Sequence, residues 1–439
     1  MSVDPRLFQY IAPSAWALDD VMPAEPIFHQ QLSTDPAKRW KSIPPVLETL
    51  KEKAKKVGLW NLWLSGGEFQ HLAQGSGKGL TNLEYAVLAE ISGHSHLCPE
   101  AMNCSAPDTG NMEVIARFGT DAQKDKYLKR LVNGEIRSAF AMTEYGIASS
   151  DASNLRNTTV TKRADGKLVL KGHKWWISGA GDPRCSVHVV VAVTDPKNPD
   201  KYKRHTIFLV DPKTPGVEIV RPMQVFGYDD APEGHMEVVY NNVILDPSET
   251  CGGEKMIGRG FEILQARLGP GRLHHCMRTI GVATRALDLL LLRVCNPARK
   301  TFGKELREHG TILADIARSR ADIDQARLLT LAAAKAVDQR KAKGALKEIG
   351  LAKFTVPTVA LQVIDRAMQV HGAEGISQDK PLAKMYAGVR TLRYADGPDE
   401  VHLQQQGKVE IKERLAYLQD REARVRKAEA ALGGRGHKL

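Results

Sequence analysis

The hydropathy period of this chain changes twice, and no other feature limits its fold as tightly. Over residues 30 to about 135, apolar residues recur at helical spacing. Over 136–248 the pattern breaks into short runs: KLVLKGHKWWISG, SVHVVVAVTD, HTIFLVD, GVEIVRP and MEVVYNNVIL. These are rich in β-branched and aromatic residues and are parted by Asp-Gly, Pro-Lys-Asn-Pro and Pro-Gly turns. From about 256 the helical period returns and lasts to about 430. Strands that follow one another without intervening helices predict an antiparallel sandwich or barrel; long helices with short breaks predict an antiparallel bundle. The expected class is α+β in the order α, β, α. It comprises an N-terminal α-helical domain over 1–135, a β-sandwich or barrel over 136–250, a helical bundle over 251–420 and a basic tail over 421–439.

Local signals mark several element ends. Pro44 and Pro45 open a helical segment that stops near Gly58, and Thr81 or Asn82 caps the next. A third runs from Thr120/Asp121 to Asn133-Gly134. In the C-terminal region Ile312, Ile316, Ile323, Ala326, Thr330, Ala333 and Val337 share one helix face.

Composition excludes several classes. No apolar run approaches the 18 or so residues of a membrane-spanning helix. Six cysteines without C-x-x-C spacing argue for a reducing compartment, with neither a disulfide framework nor a zinc ribbon. The N-terminus reads as neither a signal peptide nor a transit peptide. The net charge of +11 fits a phosphate-bearing or otherwise acidic ligand, although residues 407–439 alone hold nine Lys/Arg against five Asp/Glu. Gly75-Ser76-Gly77-Lys78-Gly79 lacks the spacing and the preceding strand of a phosphate loop. His94/His96 and His274/His275 lack accompanying ligands, so no metal is expected and they read as packing or surface histidines.

Four segments then act together. They are Ala141–Asp151 (AMTEYGIASSD), Lys171–Gly179 (KGHKWWISG), Arg299–Lys304 (RKTFGK), and Gln369–Gly375 (QVHGAEG) leading to Tyr394–Glu400 (YADGPDE). In this order, around an α–β–α layout, they resemble the acyl-CoA dehydrogenase family over about residues 50–420, with a four-helix C-terminal bundle. The pattern is most similar to the branch of family members 10 and 11, which carries ADGPDEVH near its C-terminus.

The resemblance implies FAD as cofactor and acyl-CoA as substrate. A flavin ring is flat and largely apolar with polar edges, and Trp176 with Ser178 on one strand face suits it. By resemblance, Trp176 lies against the ring and Ser178 bonds near N5, while Phe140, Met142 and Thr143 line the pyrimidine side. Ser149 and Ser150 lie in the following turn, where a family serine meets CoA; one extra residue makes Ser150 the better counterpart. Arg299, Thr301 and Phe302 match residues that hold the FAD pyrophosphate and adenosine of a neighbouring subunit, which implies a homodimer or homotetramer. Gln369 and Gly372, with Gly375, fit the loop against the ADP part, and Glu400 joins the cofactor contacts. Gly310 stands where the family often has glutamine.

The implied chemistry removes an α-proton and a β-hydride. A carboxylate must take the proton from a dry site that raises its pKa. Asp396, before Gly397, stands where the family usually has glutamate, with Asp399 and Glu400 as the other candidates. The family's alternative position on an earlier helix holds Gly269-Pro270-Gly271-Arg272. The Asp396 N–H and the flavin ribityl hydroxyl are the implied donors to the thioester carbonyl, Gly397 lines the substrate site, and Arg272 aligns with an arginine near the CoA entrance.

The expected product is trans-2-enoyl-CoA, in fatty-acid β-oxidation, with an electron-transferring flavoprotein or oxygen as acceptor. A nitroalkane-oxidase-like flavoprotein, which also uses aspartate, and a DNA-binding member of the fold are the competing readings; no nucleic acid partner is favoured. The terminal His437-Lys438-Leu439 resembles a peroxisomal address, with the mitochondrial matrix as the alternative.

Overall fold

A computed structural model describes residues 14–64, 69–72 and 79–433. The Gly75–Lys78 stretch of the glycine-rich loop and the terminal tripeptide lie outside the described residues. The N-terminal region is helical: α1 (Met22–Gln31), α2 (Pro45–Lys56), α3 (Asn82–Ser92), α4 (Asp108–Phe118) and α5 over 121–133. Thr81 and Glu84 close a capping box at the start of α3, and Thr120 with Gln123 does the same for α5. Gly134 ends α5 in the left-handed conformation.

Seven strands follow: β1 (Arg137–Ala141), β2 (Thr159–Lys162), β3 (Leu168–Ser178), β4 (Cys185–Val193), β5 (His205–Val210), β6 (Val217–Met223) and β7 (His235–Leu245). One group runs β1-β4-β5 and the other β2-β3-β7-β6, joined by the pairing of Thr159 with Val193. Ala139, Val190 and Phe208 of the first group share a core with Val160, Leu170 and Val238 of the second, as in a sandwich. The pairing is antiparallel except where β1 and β2 meet β4. That parallel contact departs from the all-antiparallel expectation, because strand order is not written in local hydropathy. The other face of β4 and β5, Val187, Val189, Val191, Ile207 and Leu209, joins the helical core. This is why β4 is buried along almost its whole length.

The C-terminal region holds α6 (Gly260–Val294), α7 (Gly310–Gly344), α8 (Leu346–His371), α9 (Leu382–Thr391) and α10 (Asp399–Ala431). Ile323, Ala326, Thr330 and Ala333 of α7 are buried as the spacing predicts. The α3–α6 crossing is close: a Cβ on Gly281 would stand 1.9 Å from the Glu90 carbonyl oxygen, so only glycine permits this approach. Among the described residues no helix is long and apolar enough to cross a membrane.

Candidate active site

The loop between α9 and α10 carries Asp396, and side chains from two helices fix it. Asp396 has a φ of 58° and Gly397 one of 107°, a turn in which aspartate is better tolerated than bulkier residues. Arg272 Nε on α6 donates to the Asp396 carbonyl oxygen at 2.8 Å. The Lys353 ammonium on α8, fully buried, donates to the carbonyls of Leu392 and Gly397. Asp399 is buried and engaged by Arg393, whereas Glu400 is exposed, so neither stands in the same setting as Asp396. A Cβ placed on Gly271 would lie 3.4 Å from Asp396 Oδ2. The carboxylate therefore sits directly against the α6 backbone at Gly271.

Arg267, Gly271, His275 and Arg278 recur at steps of four, four and three on α6 and form one face. His275 Nε2 is 3.6 Å from Asp396 Oδ2. The Arg267 guanidinium lies 3.7 Å from the centre of the Phe140 ring and donates to Asn111 Oδ1 at 3.1 Å. Burial pushes the Asp396 pKa up, but the positive field of His275, Arg267, Arg272 and Lys353 outweighs it and holds the carboxyl below its usual range. That reverses the expectation of a raised pKa, which considered the dry site without its cations. Burial pulls His275 down to about 4, so at neutral pH the two arginines and Lys353 carry the field. The Asp396 N–H donates to no backbone or side-chain acceptor among the described residues.

The β-domain supplies a second set. Lys174 Nζ donates to the Met142 carbonyl at 2.7 Å, and Trp175 N to the Thr143 carbonyl at 3.2 Å. Glu144 accepts from the backbone N–H groups of Arg156, Asn157 and Thr158 and so folds the chain after Thr143. Within that fold the Ser149 hydroxyl accepts from Glu144 N and donates to the Ile147 carbonyl, while Ser150 is exposed.

Regular alternation does not hold at the tryptophans. Lys174 pairs with Val238 and Ile177 with Met236, so β3 carries one residue more than β7 there. Trp176 has a φ of 58° and is 38% exposed. Ser178 Oγ lies 2.8 Å from His235 Nδ1, and the His235 ring is 5.7 Å from that of Trp176. The bulge thus turns an indole outward beside a hydroxyl.

A third set lies on the surface. Lys300–Thr301 pairs with Lys304–Glu305, and Phe302 and Gly303, both with positive φ, make the turn. Phe302 is 95% exposed. Gln369 and Gly372 are exposed at the end of α8, and Gly310 is exposed at the start of α7. Glu374 gathers Arg293 (2.6 Å), Lys380 (3.3 Å) and Arg299 (3.6 Å), which ties the hairpin to the 369–375 loop. The flat exposed indole beside Ser178 suits a planar ring and, separately, the outward phenyl with Arg299 suits a nucleotide phosphate and base, which together are the chemistry of FAD.

Sequence reasoning passed over Arg267, Lys353 and Glu374, and it read His275, which stands 3.6 Å from Asp396 Oδ2, only as a packing or surface histidine. The four-residue spacing on α6 was a readable signal for Arg267 and His275. Lys353 carried none, because its role exists only where α8 meets the α9–α10 loop.

Comparison with known proteins follows the same divisions. Models of the acyl-CoA dehydrogenase N-terminal, middle and C-terminal domains match residues 37–135, 139–243 and 258–410. Acyl-CoA dehydrogenase family member 10 of Mus musculus is 50% identical over 89% of this chain, and family member 11 of Gallus gallus is 49% identical over 83%. The chain covers only 36% and 45% of those two proteins. A solved structure of the same family from Mycobacterium abscessus superposes with a TM-score of 0.87 at 42% identity, covering 94% of this chain and all of the other.

Proposed function

This chain belongs to the acyl-CoA dehydrogenase family and is an FAD-dependent oxidoreductase; from that premise we propose that it converts a saturated acyl-CoA to the trans-2-enoyl-CoA, as in fatty-acid β-oxidation, with Asp396 as the base. One observation carries the reading: a mostly covered carboxylate lies against α6 on a loop whose backbone carbonyls are held by side chains from two helices, and the cationic groups around it hold its pKa down.

Asp396 takes the α-proton onto a carboxylate oxygen. Arg272 and Lys353 keep its loop in place, so the carboxylate does not need to be ordered at the moment of transfer. FAD held by Trp176, Ser178 and Thr143, with the Arg299–Phe302 hairpin contributed from a neighbouring subunit, would supply the acceptor for the β-hydrogen. Charge that develops on the thioester oxygen is stabilised by the Asp396 N–H and by the field of Arg267, Arg272 and Lys353. The Asp396 side chain is still 16% exposed. A docked acyl chain covers that remainder and moves its pKa upward, toward the range a base requires. Ser150, exposed on the turn after Thr143, and Gly397 complete the substrate contacts, while the bond from Arg272 to the Asp396 carbonyl supports a loop-holding role over a CoA contact.

The 95% exposed Phe302 supports a hairpin that works against a second subunit, in a homodimer or homotetramer. Light scattering on the FAD-loaded protein tests that. An electron-transferring flavoprotein is the proposed acceptor, tested by its reduction against that of oxygen. Peroxisomal import through His437-Lys438-Leu439 is tested by deleting the three residues. The reaction itself is tested by anaerobic titration with acyl-CoAs of increasing length: the flavin bleaches with at least one of them, and a flavin that none of them bleaches sinks the reading.

A further inference from the structure

His275 is not needed to hold the α9–α10 loop, which Arg272 and Lys353 already fix through backbone carbonyls. It is the side chain that meets the Asp396 carboxylate itself. Its Nδ1 lies 3.2 Å from Arg278 Nη2. Guanidinium groups only donate, so Nδ1 must accept, and a neutral imidazole then carries its proton on Nε2. That nitrogen faces Asp396 Oδ2 at 3.6 Å, just beyond hydrogen-bond range. Contacts of this kind shorten when a ligand closes the site. Arg278 is anchored in turn by the Cys104 carbonyl at 3.4 Å. The series runs from the N-terminal domain through Arg278 and His275 to the carboxylate.

We infer that His275 is a positioning residue for Asp396: its Nε2–H, in the tautomer that Arg278 imposes, holds Oδ2 and leaves the other carboxylate oxygen to receive the substrate proton. This rests on the reading of Asp396 as the base. The charged and titratable groups facing the pair are Arg267, Arg272 and Arg278 from α6, Lys353 from α8 and His402 from α10, with Asp399 tied to Arg393 alongside. None of these but His275 places a side-chain nitrogen within 4 Å of the Asp396 carboxylate.

The test is the rate of anaerobic flavin bleaching by an acyl-CoA as a function of pH, in FAD-loaded wild type, His275→Leu and His275→Gln. His275→Leu slows bleaching on the order of a hundredfold, the scale of a misplaced reacting group, with little change in acyl-CoA affinity. Its acid limb moves to higher pH, because a carboxylate that loses a donor is easier to protonate. His275→Gln, whose amide nitrogen stands near the position of Nε2, recovers most of the rate and the original limb. A His275→Leu protein with wild-type rate and limb overturns the inference. So does selective 15N-histidine labelling of the wild type that finds the proton on Nδ1, a result that needs no folded variant. If Asp396→Asn is dead while His275→Leu is normal, only this inference fails; if Asp396→Asn also bleaches normally, the base assignment fails with it.

Discussion

The loop that carries Asp396 and the 299–305 hairpin sit in the same C-terminal region yet are built in opposite ways. Residues 392–397 are gripped by Arg272 and Lys353 and faced by His275, all from the chain's own helices. The 299–305 hairpin stands out with Phe302 at 95% exposure and is tied back mainly through Glu374. A proton-abstracting group has to be held before the substrate arrives, because each ångström of slack costs rate. A nucleotide clamp can be completed by the ligand or by a second subunit, since binding itself supplies the missing contacts. On the proposed reading, the proton-abstracting group is positioned by the single chain, and the nucleotide contacts are completed by the ligand or a second subunit.

Breaking the buried side has the largest effect. Asp396→Asn, which keeps shape and loses the base, lowers the bleaching rate by about three to four orders of magnitude, the upper part of the range for a lost general base. The oxidised flavin spectrum stays unchanged. Stopped-flow mixing with acyl-CoA reads both. Lys353→Met comes next: two partly buried carbonyls lose their donor, at about 1–2 kcal/mol of stability, seen as a lower midpoint in urea with an unchanged slope. Its bleaching rate falls as the loop loosens.

The exposed side yields differently. Arg299→Ala weakens FAD binding to the apoprotein about tenfold or more, the scale of one charge-assisted phosphate contact, while the apoprotein's own thermal midpoint hardly moves. Phe302→Ala has the same pattern and also shifts the subunit equilibrium. Equal losses of apoprotein stability and FAD affinity would erase the contrast between the two regions.

The smallest effect is on pH. His275 folds with a pKa near 4, below its unfolded value of about 6.5. Its contribution to stability is therefore fully present above pH ~6.5 and is lost as pH falls toward 4, because the unfolded chain binds the proton first. His29, His188 and His402, all held near 4 by burial, act in the same direction. The thermal midpoint should fall across that window, and His275→Gln should flatten the fall slightly.

Much of the frame was legible in the sequence because it depends on local signals. The period changes located the three regions, and Thr81, Thr120 and Gly134 end or begin helices where capping chemistry requires. Asp396 could be put forward as the candidate because its Asp-Gly turn sits in a recognisable segment. Its partners could not, since His275 and Asp396 lie 121 positions apart in the sequence and spacing along α6 says which side chains share a face but not what that face meets. The Trp175–Trp176 bulge was hidden for a related reason: alternation assumes one residue per pairing step, and an inserted residue leaves no mark on hydropathy. The lowered Asp396 pKa likewise required knowing that three cationic side chains converge on it.

The central claim is that Asp396, held within one chain, abstracts the α-proton. Anaerobic mixing of FAD-loaded wild type and Asp396→Asn with the acyl-CoA that bleaches the wild type fastest tests it most directly. The account predicts rapid bleaching of the wild type and a flavin that stays oxidised in Asp396→Asn; bleaching of Asp396→Asn at a rate close to that of the wild type would contradict it.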